Sequence, residues 1–192
     1  MIQQLTYGEE NYYIGLSEIL NTNSLNTKKL LDLATSCSTD VLVVQFFDSA
    51  LISNETHLLS AAQNAINAWR GDYMISRSLD VEIIVYASAQ RQIHQALSMF
   101  GVRDGLDTVA VVIIDRNEKN VLDVLSTIID ALGQEQLPSF APSLEKIGTL
   151  MKTFDISENE MQNFITTDTL SDRIQALSRC IASRVSLVAI GA

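Results

Sequence analysis

The chain has 192 residues, 47% of them hydrophobic, and a formal net charge of -10. That length and apolar share fit one domain able to bury a full core without disulfides or metal. The acidity excludes the broad basic surface that strong nonspecific nucleic-acid binding needs, so no DNA partner is expected, although a small local phosphate site remains open.

Apolar stretches such as 109–114 run for only six residues, against the ~20 that a membrane helix needs. Polar residues follow Met1 closely, unlike a secretory leader. No membrane partner is expected, and the cytoplasm is the expected compartment. Cys37 and Cys180 are far apart with no CxxC, and His57 and His94 complete no metal spacing. No metal or cofactor is expected. The two cysteines are read as buried free thiols or as one disulfide.

Residues 1–20 alternate loosely around Gly8-Glu9-Glu10-Asn11, which suits two strands joined by a turn. Leu30, Leu31 and Ala34 give 27–37 helical spacing, and the β-branched and aromatic run 41–47 reads as a buried strand. Ser53 and Asn54 are candidate caps for a helix over 57–70, with Leu58, Ala62, Ala65 and Trp69 on one stripe and Gly71 as its stop. A strand is expected over 79–86, with Ser88 capping a helix from near Gln90 to Phe100 that Gly101 ends.

A second apolar strand follows at 108–114, then an amphipathic helix from Val121 to Leu132, closed by Gly133. Residues 134–142 hold both prolines and read as a connector. The tail is helical over 143–154. Ser157-Glu158-Asn159-Glu160 has the form of a capping box, with Ile156 and Met161 as its staple. The last helix spans 170–184, with Asp168 and Asp172 at its start and Arg179 and Arg184 at its end, as the helix dipole favours. Residues 185–190 are apolar and β-branched, which suggests a final strand. The expected architecture is a single α/β (α+β) domain over 1–192, with a sheet-and-helix core over 1–133 and C-terminal helices and a final strand over 134–192. Pattern alone leaves a parallel or a mixed sheet open.

No catalytic motif is present: GxGxxG, GxxxxGK[ST], HExxH and GxSxG are all absent. Carboxylates are scattered, so no enzymatic activity is expected. The one suggestive cluster follows the turn at Ser88. Arg91 stands where helix N–H groups already favour an anion, and guanidinium and backbone donors could hold a phosphate together. Arg77 and Arg70 are further cations for the same rim. The plain alternative has these arginines solvated or paired with Asp72, Asp80 or Glu82. Trp69 reads as core more readily than as a stacking platform. Ile174, Leu177, Ile181 and Leu187 are either core or a surface for a partner.

The string Glu82 to Gly101 resembles the signature of the PRPK-binding-protein family, the small non-catalytic subunit of the KEOPS (EKC) complex. The carrying residues are Glu82, Ala87-Ser88, Arg91-Gln92-Ile93, Ala96 and Gly101, with the apolar strand after them and an Ala-rich helix and Ser76-Arg77-Ser78 before them. The resemblance implies a mixed, largely antiparallel sheet flanked by helices. It implies a subunit that binds the complex's small atypical kinase/ATPase and, as in archaeal complexes, grips the single-stranded 3′ CCA end of tRNA for threonylcarbamoyladenosine synthesis. On that match Arg91, Gln92, Ile93 and Arg77 would line the tRNA-end site, with Ser88 and Arg70 beside them, and Ile174, Leu177, Ile181 and Leu187 would meet the kinase. The competing readings are a small phosphate- or nucleotide-binding protein or enzyme using the helix start at Arg91, and a scaffold bound only to the kinase.

Overall fold

A computed structural model of the chain describes residues 1–167 and 169–190. Asp168, expected near the start of the last helix, lies outside them. A hairpin opens the fold: β1 (Ile2–Tyr7) and β2 (Glu10–Leu20) pair antiparallel about the expected turn. Then come α1 (Thr27–Cys37), β3 (Val43–Asp48), α2 (Glu55–Arg70), α3 (Leu79–Ser88) and α4 (Ile93–Phe100). β4 (Thr108–Asp115), α5 (Glu118–Leu132), the short β5 (Gln134–Glu135), α6 (Leu144–Phe154), α7 (Glu158–Gln162) and α8 (Leu170–Leu187) complete it. The strand order is β1-β2-β4-β3, with β5 beside the end of β2, and every pairing is antiparallel. The pattern of elements left a parallel or a mixed sheet open; the sheet is antiparallel throughout, in line with the largely antiparallel one that the resemblance implied.

Both faces of the sheet are covered, which explains why β3 and β4 read as continuous apolar runs. Tyr12, Ile14, Leu16, Phe47, Val112 and Ile114 face one core, packed by α2, α3 and α8. Ile19, Phe46, Val109, Val111 and Ile113 face a second core under α1 and α5. Cys37 belongs to the second and Cys180 to the first, and both are free thiols. Gly133 closes α5 at φ 141°, where an added Cβ would stand 1.9 Å from Thr22 Oγ1. Any side chain there is excluded by both conformation and space.

Two expected strands are helical. Residues 79–86 lie within α3, whose residues 82–88 are all buried. A helix apolar on every side loses its 3.6-residue stripe, and such a short apolar run has the same composition as a buried strand. The final strand over 185–190 is instead the last turn of α8 and a 3-10 turn, Val188–Ile190. Residues 185–190 hold no glycine or proline that would break the helix. The segment expected to be a capping box is half formed. Ser157 Oγ accepts the Glu160 N–H at 3.3 Å, but the Glu160 carboxylate turns to Arg184, at 2.7 and 2.9 Å. Ile156 and Met161 are buried in one cluster, as a staple requires. Among the described residues no helix is long and apolar enough to cross a membrane.

Candidate functional site

The turn between α3 and α4 is built from Ala89 in the left-handed region, at φ 52°, followed by Gln90, Arg91 and Gln92. Ser88 does not cap the next helix. It is the buried last residue of α3; its hydroxyl donates to Val85 O at 3.1 Å and accepts the Gln90 N–H at 3.3 Å. The α4 N-cap is Gln92, whose side chain makes no capping bond. The first-turn N–H groups of α4 therefore have neither an intrahelical acceptor nor a side-chain cap, and their positive end faces the chain at Arg91 and Gln92. Both of these residues are exposed, and Ile93 is half-buried against the core.

Arg91 meets none of the acids considered for it. One guanidinium nitrogen donates to Val188 O, just past α8, a position where a cation suits the dipole of the helix end. The turn thus abuts the last turn of α8. Ala89, Arg91, Arg184, Leu187 and Val188 line one shallow depression of about 250 Å³. Leu187 is 51% exposed in it. Here the structure brings together one residue expected at tRNA and one expected at the kinase. Sequence reasoning missed Ala89 and Val188, and it assigned Arg184 only to the helix dipole. Nothing in a single sequence links residues 89 and 188.

The remaining candidates lie elsewhere. Arg77 precedes α3 and Arg91 follows it, so the 10-residue helix separates them by about 15 Å along its axis. Arg77 is exposed and makes no ion pair among the described residues. Its loop is fixed by Glu82, fully buried, whose carboxylate accepts the N–H groups of Ile75 at 3.0 Å and Ser76 at 2.7 Å. Arg70 pairs with Glu10 and lies 5.4 Å over the Trp69 ring. Trp69 meets Tyr12 edge-on at 6.1 Å and is half-buried. Ile174, Leu177 and Ile181 are core residues, so of the expected partner surface only Leu187 is open. The exposed apolar residues near that end are Leu187 and Ile190.

His57 serves the core and no site. The ring accepts the Ser53 N–H on Nδ1 at 3.3 Å and is bonded through Nε2 to Ala87 O at 2.8 Å, which fixes the neutral tautomer with its proton on Nε2. Burial pushes its pKa down to about 4. His94 is exposed on α4. Among the described residues no group of His, Cys, Asp or Glu could hold a metal.

Residues 17–189 match the family model of the kinase binding protein CGI-121. The chain belongs to that family. One relative is the regulatory protein Cgi121 of Methanocaldococcus jannaschii, 36% identical over 64 residues. The alignment spans 33% of this chain and 41% of the relative, less than half of either. The resemblance read from Glu82 to Gly101 thus led to the right family, although its local secondary structure was misassigned.

Proposed function

We propose that this chain is a non-catalytic subunit of a KEOPS-type complex that binds the small atypical kinase/ATPase and recruits tRNA through its 3′ CCA end for threonylcarbamoyladenosine synthesis. The kinase partner follows from membership of a kinase-binding family. The observation that carries the RNA half is the exposed Arg91-Gln92-Ile93 turn ahead of an uncapped helix start. Backbone N–H groups, the guanidinium nitrogens not committed to Val188 and the partly open Ile93 side chain can together hold a phosphate and a stacked terminal base. Arg77, about 15 Å away along the axis of α3, would touch a different part of the RNA. Arg70, already paired with Glu10, is less available. Leu187, on the other wall of the depression, would belong to the kinase contact.

The test is an electrophoretic shift with tRNA, intact and lacking CCA, against wild type and Arg91→Ala, with kinase pull-down by Leu187→Glu alongside. Loss of Arg91 is expected to weaken binding of intact tRNA by about 1.5–3 kcal/mol, the range of a hydrogen bond to a charged group. Leu187→Glu is expected to reduce kinase capture without lowering the melting temperature. Equal RNA binding by all combinations would sink the CCA assignment. Kinase capture with no RNA binding would leave a scaffold.

A further inference from the structure

A second cleft, unconnected with the kinase or RNA reading, opens where α6 begins. It has a volume of about 430 Å³ and is lined by Glu18 of β2, Ser49, Thr108 of β4, Ser143, Glu145 and Lys146, among others. Lys146 is half-buried, whereas the four other lysines, Lys28, Lys29, Lys119 and Lys152, are exposed. Its amine stands 5.4 Å from the centre of the Phe140 ring and has no carboxylate within 4.0 Å among the described residues. Glu18, a buried acid of the cleft, is committed elsewhere. Its carboxylate accepts from the Ser49 hydroxyl and from the Phe140 N–H.

An ammonium without an ion partner in such a place has lost hydration and gained little in return. The charged and titratable groups facing it are Glu18 from β2, Glu55 and His57 from α2, and Glu145 from α6. Glu18 and Glu55 favour the charged amine and the Phe140 ring adds some attraction, but burial outweighs the two acids and holds the amine below the usual lysine range. His57 is neutral at pH 7 and adds no charge.

We propose that Lys146 is a nucleophilic amine and that this cleft is a site of lysine acylation by small thioester acyl donors. Glu18 and Glu145 at the cleft disfavour an anionic donor, while a thioester's reacting end is uncharged and fits the volume. In the step, the Nζ lone pair attacks the acyl carbon, an amide N–C bond forms and the C–S bond breaks with its electron pair passing to sulfur. The proton leaving nitrogen ends on the released thiol, so no oxidant or further reactant is needed.

The test is incubation of the intact chain with S-acetyl-N-acetylcysteamine at pH 7, native and unfolded in urea, with acetylation of each lysine read by peptide mass spectrometry. In the native chain Lys146 is expected to be acetylated several-fold above each of the other four lysines, and the preference is expected to vanish in urea. The lead should narrow as the pH approaches 10, where the exposed amines also become neutral. Equal or lower labelling of Lys146 in the native chain, or a preference that survives unfolding, would overturn the proposal.

Discussion

His57 shows how one buried side chain sets a pH limit on the fold. At pH 7 its imidazole is neutral in the folded chain and mostly neutral in the unfolded one, so it contributes little pH-dependent stability there. As pH falls through 6.5 the unfolded histidine takes a proton, while the folded one, held between Ser53, Ala87, Phe100 and Phe154, resists until about 4. Stability is therefore lost across that window, by about 3 kcal/mol in all. His57→Gln can keep the Ala87 bond and cannot titrate. Urea unfolding at pH 7 and pH 4 is expected to show a loss on acidification about 3 kcal/mol smaller in the variant than in wild type; equal losses would assign the acid sensitivity to carboxylates instead. The sequence placed His57 at a helix start, but the partners that bury it are 30 and 97 residues away at Ala87 and Phe154. No local pattern encodes such separations.

At the scale of elements, α3 is the piece least legible in the sequence and the most informative in the fold. Its residues Val81, Ile83, Ile84 and Val85 are β-branched, a type that favours strands in isolation, yet tertiary burial between α2, β3 and α8 decides for helix. Glu82, expected within a strand, instead ties the incoming loop to the helix by accepting the Ile75 and Ser76 N–H groups. Glu82→Ala is expected to destabilise the fold by about 2–4 kcal/mol, since two backbone donors lose a charged acceptor. Faster hydrogen exchange at Ile75 and Ser76 should accompany the loss. A stable variant with unchanged exchange there would show that the loop holds itself. α8 was legible as a helix from its apolar spacing and the charges at its two ends; the cap itself, Thr169 Oγ1 accepting the Asp172 N–H at 3.1 Å, was not read from the sequence. What pattern could not say is which positions pack. Leu177 is fully buried, so Leu177→Ala should cost about 2–5 kcal/mol in urea unfolding. A small cost would mean that the packing around α8 relaxes into the space.

At the scale of the molecule, the net charge of -10 and a proposed RNA contact resting on a few arginines set a limit on electrostatic binding. Contact with about two phosphates gives a slope near -1.4 in log K against log salt for a single strand. Affinity for tRNA should then fall only about 7-fold between 50 and 200 mM salt. A slope several times steeper would point to a much larger basic footprint than the α3–α4 turn supplies. β1 and β2 were legible as a loosely alternating hairpin and β3 and β4 as apolar runs, but the strand order was not, because β4 is apolar on both faces and so carries no preference for its neighbours.

That order has a consequence for how the chain reaches its fold. β2 and β3 never pair with each other; both pair with β4, Ile14 opposite Ile114 and Val43 opposite the same Ile114. The central strand is the last of the four to be made. Until residues 108–115 leave the ribosome, only the β1–β2 hairpin can close, and β3 has no strand to bind. The apolar edge of β2 must wait through the synthesis of four helices and that of β3 through three, and the contacts that complete the sheet span about 60 to 100 residues of chain. Folding limited by such distant contacts is slow relative to that of a helical bundle of the same stability, and the waiting strands are the ones most exposed to wrong partners.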